Sequence, residues 1–198
     1  RYPLVTGVQT CALPIYCHPR KKTGLVVVGG AVEVSFLNDS TTLGPADRVM
    51  IRPGLFHRST AGSESESLLL EIESPRDKED LVRFADNYGR ESMPYEDDSH
   101  RVPLSENWLM IPPLEDWQTN TTNIGEVSLS WHQFCVLEDL VDYQEKTTAL
   151  IMSGSLGEES REVLGAGDVV SMGTLRKLGA RFPTAAPLSL LAVELRSK

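Results

Sequence analysis

The stretch Leu43–Thr60, LGPADRVMIRPGLFHRST, decides the fold. A turn at Ala46-Asp47 leads into a short alternating strand through Val49 and Ile51. Pro53-Gly54 then bends the chain, and His57 follows three residues later. Proline fixes one dihedral and glycine takes a conformation that other residues resist, so the pair marks a tight bend on a sheet scaffold. His57 is thereby placed just past a bend, aimed where the strand's inward residues point. Taken alone, the same residues would also describe a surface histidine after a hairpin turn.

Outward from this stretch the pattern is of short strands. Leu25–Val28 is an apolar run ended by Gly29-Gly30, after which Val32, Val34 and Phe36 alternate with Ala31, Glu33 and Ser35. A period of two with β-branched residues predicts half-buried antiparallel strands, here joined at the Gly-Gly turn. Leu68, Leu70 and Ile72 alternate with Leu69, Glu71 and Glu73 in a further strand. Evenly spaced strands with no helix between them argue an all-β barrel or jelly roll. From Ser74 the period changes: Pro75 suits a first helical position, Leu81, Phe84, Ala85 and Tyr88 share one helical face, and Gly89 stops it, which predicts a connecting helix over 75–88. Glu91–Pro113 reads as a connector, with Trp108 and Trp117 to pack it.

The last third echoes the first. Thr148–Gly154 parallels Leu25–Gly30, and Leu164-Gly165-Ala166-Gly167-Asp168 parallels Leu43-Gly44-Pro45-Ala46-Asp47. Self-similarity on this scale predicts two copies of one β-domain. Val127–Leu137 and Leu188–Leu195 would complete the second sheet. Ungapped alignment puts Leu178 where His57 stands, so the second copy is expected to hold no metal.

The Leu43–Thr60 stretch resembles the second half of the cupin signature, in which Gly-Asp, a strand, Pro-x-Gly and then a His with two residues between carry a metal ligand into a small β-barrel. Here Ala46 replaces the usual Gly, and Pro53-Gly54 lacks the intervening residue. The resemblance implies two jelly-roll barrels, the first truncated at its N-terminus. It also implies a site of two His one residue apart, a Glu, and the later His, suited to a divalent first-row metal. On that pattern His18 is the second His of the pair, Tyr16 stands at the first, and the Glu position falls on Thr23. The segment 71–96, EIESPRDKEDLVRFADNYGRESMPYE, further resembles the tail of bacterial cupins found with sugar-nucleotide and surface-polysaccharide enzymes, which implies a sugar-type ligand.

Residues 1–15, RYPLVTGVQTCALPI, resemble a translated sequencing adapter and are expected to be an artefact. The adapter's last base would supply the first position of codon 16, so a native His, Asn, Asp or Tyr codon would each read as Tyr16. The expected organisation is adapter over 1–15, a truncated first cupin domain over 16–75, helix and connector over 76–122, and a degenerate second cupin domain over 123–198.

The chain carries 19 Lys and Arg against 28 Asp and Glu, a net charge of −9; without Arg1 it is −10. An acidic chain is repelled by phosphate backbones and anionic membranes, so neither nucleic acid nor a membrane is expected as a partner. Beyond Cys11 only Cys17 and Cys135 remain, too few for a disulfide framework, which fits a reducing cytoplasm. A homodimer is expected, because a missing first strand exposes a sheet edge.

The candidate catalytic and metal-ligating residues are His18 and His57. Arg20, Arg52 and Arg58, with Lys21 and Lys22, form a candidate basic rim for a phosphate or carboxylate of the substrate. His100 sits in an acidic loop, His132 reads as a core or rim histidine, and Tyr88 and Tyr95 are lesser proton-donor candidates. The resulting expectation is a sugar or sugar-phosphate isomerase or epimerase, either metal-assisted or using a histidine directly as base. The alternatives are a non-catalytic sugar-binding or regulatory bicupin without metal, and a storage-type bicupin, which the short chain disfavours.

Overall fold

In this computed structural model, residues 5–6, 15–62, 66–77, 79–85, 119–158 and 161–196 are described. The described residues form three antiparallel sheets. The first has four strands in the order β1 (Val5–Thr6), β8 (Leu68–Ser74), β3 (Lys22–Gly29) and β6 (Arg48–Ile51). The second has five, in the order β5 (Ser40–Leu43), β4 (Val32–Phe36), β7 (His57–Ala61), β2 (Ile15–Cys17) and β9 (Val82–Ala85). The third runs β10 (Thr119–Ile124), β11 (Val127–Cys135), β15 (Thr184–Leu195), β12 (Thr148–Glu158) and β13 (Arg161–Gly165), with β14 (Val169–Ser171) also paired to β12.

The four-stranded sheet is the middle layer. Leu25, Val27, Ile51 and Leu69 from it pack on Val32, Val34 and Leu43 of the five-stranded sheet, filling the first barrel. From its other face Val26, Val28, Leu70 and Ile72 meet Leu129, Leu150, Met152, Leu191 and Val193 of the six-stranded sheet. A strand with both faces covered must be apolar on both, and Leu25–Val28 and Leu68–Leu70 are. At Gly24 the sheets come so close that a Cβ would stand 2.1 Å from Val169 Cγ2. The far face of the six-stranded sheet is covered by a 3-10 turn (Leu137–Leu140) and by α1 (Met172–Gly179), with Leu140, Ile151, Leu175 and Leu190 in its core.

Three expectations change. Gly29-Gly30 is not a hairpin: β3 and β4 lie in different sheets, so the pair, with Gly30 at φ +69°, is the corner at which the chain crosses between them. The helix over 75–88 is absent from the described part of that segment. Residues 82–85 are strand β9 on the edge of the five-stranded sheet, with Arg83 opposite Tyr16, and the α-helix of the described residues is α1 instead. The third change concerns the second half, where α1 stands at the point at which Pro53-Gly54 turns the first half into its second sheet. Ser171 caps α1 by accepting from the Thr174 N–H at 3.0 Å. Tyr88, Tyr95, His100, Trp108, Trp117 and the connector over 91–113 lie outside the described residues.

The two halves build the same turn. Asp47 Oδ2 accepts from Gly44 N at 2.9 Å, and Asp168 Oδ2 from Gly165 N at 2.7 Å. Ala46 N and Asp47 O bond Val27, as Gly167 N and Asp168 O bond Ile151. The third turn residue is left-handed in each, φ +67° at Ala46 and +89° at Gly167. Gly30 and Gly154, at φ +69° and +80°, follow Val27 and Ile151 at the same interval.

Candidate functional site

Strand alternation delivers the site. Tyr16 and His18 are two residues apart and face one way, and Tyr16 lies opposite His57 in the β2–β7 ladder. On the facing sheet Leu69, Glu71 and Glu73 alternate toward the same interior, with Thr23 opposite Glu73. The Pro53-Gly54 bend holds the two histidines together. Leu55 N bonds Arg52 O at 3.2 Å, Pro53 occupies the second position, and Gly54, at φ +78°, occupies the third, as a type II turn requires. Gly54 N in turn bonds the His18 carbonyl at 2.7 Å.

His18 and His57 converge inside the first barrel, 2% and 1% exposed, with ring centroids 6.3 Å apart. The Tyr16 ring lies against both, 5.4 Å from His18 and 4.5 Å from His57. His57 Nδ1 is 2.9 Å from the Leu55 carbonyl, which only accepts, so Nδ1 carries a proton and Nε2 a lone pair when the ring is neutral. That Nε2 is buried and has no hydrogen-bond partner among the described residues. Burial holds the His57 pKa below its ordinary value, the Leu55 carbonyl opposing and the His18 charge assisting.

His18 is in the opposite state. Its Nδ1 donates to the Asp80 carbonyl, and its Nε2 lies 2.6 Å from Glu73 Oε1. Both partners are acceptors, so both ring nitrogens carry protons. Burial opposes that charge, but Glu73 and the Asp80 carbonyl outweigh it and the pKa is raised. Glu73 also takes Lys21 Nζ at 2.8 Å; despite its burial, these two cations lower its pKa. Glu71 is the reverse, pushed up to about 7 by burial and then by the Glu73 charge, with His18, the Tyr16 hydroxyl at 3.4 Å and Lys21 opposing.

The expected basic rim is dispersed. Arg20 is committed to Asp77 at 2.6 Å and Asp80 at 3.1 Å, where the buried Asp80 carboxylate also accepts the backbone N–H groups of Arg20 and Lys21. Lys22 crosses to Asp168 of the second half at 2.8 Å. Arg52 is exposed, and Arg58, next to His57 on β7, alternates to the opposite face. His132 bonds Tyr143 Oη at 2.7 Å and Thr119 Oγ1 at 3.1 Å, a satisfied histidine of the second half. Glu71, Glu73 and Lys21 are the charged residues of the barrel interior that sequence reasoning missed. The available signal was their odd-numbered placement with Leu69 and Leu25, the barrel-facing set.

These side chains do not fit a metal cradle as they stand. His18 Nε2 is occupied by Glu73, the Tyr16 ring lies against both imidazoles, and no group of three or more His, Cys, Asp or Glu among the described residues is arranged to hold an ion. A divalent metal would have to displace both arrangements.

Two antiparallel sheets close over an interior that receives His18 from just past β2 and His57 from β7, which makes the first half a jelly-roll-type β-barrel. No protein-family model matches the chain, and no curated protein matches it. Among solved structures it is similar to KdgF from Halomonas sp., 27% identical over 37% of this chain and 68% of that one, with a TM-score of 0.33. It is also similar to a cupin-superfamily sugar phosphate isomerase from Silicibacter pomeroyi DSS-3, 15% identical over 38% and 49%, TM-score 0.34. A 3,4-ketoisomerase from Helicobacter canadensis is 14% identical over 42% and 67%, TM-score 0.36. The chain thus spans about half the length of the Silicibacter isomerase. No helix of the described residues is long and apolar enough to cross a membrane.

Proposed function

We propose that the first barrel is the site of a sugar-type isomerase or epimerase in which His57 moves the proton. The observation that carries this reading is the buried, unpartnered Nε2 of His57, a lone pair with its tautomer fixed from behind. A general base needs the lone pair, the fixed orientation and a pKa not far from the working pH. His18, held as a cation by Glu73 and the Asp80 carbonyl, has both N–H groups engaged and would act on the ligand only as a fixed positive charge beside it. This chemistry uses the side chains as they are arranged and routes no step through a metal.

The test is a panel of sugars and sugar phosphates followed by NMR in D2O. Hydrogen exchange at a carbon next to the carbonyl is expected with the unmodified chain, and His57→Gln should lower it about 100-fold or more. Equal rates for the two proteins would refute the assignment. The second reading, a non-catalytic sugar-binding protein, is favoured by the second half, where Leu178 on α1 replaces the histidine. It predicts saturable sugar binding with no exchange. We also infer that the halves are copies of one domain, supported by the shared turn at Asp47 and Asp168.

A further inference from the structure

Two carboxyl groups of β8 face the barrel interior, and their surroundings differ. Glu73 receives two cations, Lys21 Nζ at 2.8 Å and His18 Nε2 at 2.6 Å. Glu71, two residues earlier on the same face, forms no ion pair among the described residues, and its hydrogen-bond neighbour is the Tyr16 hydroxyl at 3.4 Å. That hydroxyl belongs to the ring that packs on His57 at 4.5 Å between centroids. The unpartnered His57 Nε2 and the uncompensated Glu71 carboxyl therefore flank one tyrosine ring inside one barrel.

We propose that Glu71 is the acid of this pocket, the carboxyl that protonates a carbonyl oxygen of the ligand while His57 removes a proton from the neighbouring carbon. The proposal rests on the isomerase reading and adds its second group. In the step the C–H bond breaks, its electron pair becomes the C=C bond, and the carbonyl π pair takes the Glu71 proton. The products are an enediol, a Glu71 carboxylate and a His57 imidazolium. Collapse of the enediol returns the His57 proton to the other carbon and a hydroxyl proton to Glu71, so no oxidant or reductant is needed. Burial, and then the Glu73 charge, pushes the Glu71 carboxyl up to about 7, which leaves it a proton to give near neutral pH.

The probe is dihydroxyacetone in D2O, the smallest sugar ketone, with loss of its methylene proton signal read by NMR. The unmodified chain should catalyse exchange, and the isosteric Glu71→Gln should lower the rate about 100-fold. A 13C-carboxyl titration of the unmodified chain, labelled at glutamate, should show one resonance titrating at about 7, absent in Glu71→Gln. If the unmodified chain leaves dihydroxyacetone unexchanged, the isomerase reading falls and takes this proposal with it. If His57→Gln is inert while Glu71→Gln stays within about twofold of the parent, Glu71 is not the acid and the isomerase reading stands. Should Glu71→Gln fail to fold, the titration decides: no glutamate above about pH 6 overturns the proposal.

Discussion

At the residue scale, Glu73 is the group on which the pocket's charge depends. It compensates Lys21, whose side chain is 2% exposed, and His18, at 1%. Removing one partner of a buried pair leaves the others as uncompensated charge, so Glu73→Gln should destabilise the fold by about 3 kcal/mol, measured by urea unfolding. The pH dependence has two limbs. Burial works against the Glu73 charge, but His18 and Lys21 prevail and lower its pKa below the ordinary 4.5. Its contribution is therefore present above 4.5 and is lost as pH falls through the lowered value. Burial likewise opposes the His18 charge, yet Glu73 and the Asp80 carbonyl raise its pKa above the ordinary 6.5. The His18 contribution is full below 6.5 and is lost as pH rises through the raised value. The unfolding midpoint of the parent should be highest between the two limbs, and both should flatten in Glu73→Gln. Unchanged limbs would place the pairing elsewhere.

At the scale of elements, the twin turns offer a matched comparison. Ala46 and Gly167 hold the same left-handed position, and only glycine takes it without a Cβ penalty. Ala46→Gly should stabilise the chain by about 1 kcal/mol. Gly167→Ala should destabilise it by more, because the added Cβ would stand 2.5 Å from Ser74 Cβ. Chemical denaturation of the two variants checks the pair, and shifts of the same sign would mean that the turns are not equivalent. These turns were legible in the sequence because a Leu-Gly-x-small-Asp turn is closed by its own residues. The segment after Ser74 was misread because Pro75, Leu81 and Phe84 fit a helical spacing, while the outcome is decided at a distance. The Asp80 carboxylate bonds the backbone of Arg20 and Lys21, and Val82–Ala85 takes the free edge of β2. His57 could be placed from its Pro-Gly bend. Glu71 and Glu73 share the odd-numbered face of β8 with Leu69, but alternation alone offers two faces, and the partner sheets decide which one lines the barrel.

At the scale of the whole molecule, the four-stranded sheet belongs to two cores at once. Leu25 and Leu69 close the pocket-bearing barrel, while Val26 and Leu70, one residue along on the same strands, are buried against Leu150, Leu191 and Val193. The two halves are further tied by Lys22 to Asp168 at 2.8 Å, by Arg48 Nη1 to Thr148 Oγ1 at 2.9 Å, and by Thr148 Oγ1 to the Ala46 carbonyl at 2.9 Å. Damage to the far side of the shared layer should therefore reach the pocket. Leu191→Ala removes a side chain only 1% exposed, at a cost of about 3 kcal/mol. In hydrogen-exchange mass spectrometry the loss should speed exchange in β3, which Lys21 immediately precedes, and in β8, which carries Glu71 and Glu73, as well as in β11, β12 and β15. Because an opening reaction that includes β8 exposes the floor of the barrel, the same variant should weaken any ligand bound beside His57, although Leu191 packs on the opposite face of the shared sheet. Faster exchange confined to the six-stranded sheet would show that the halves open independently, and the second half would then be an attachment to the barrel and not one of its walls.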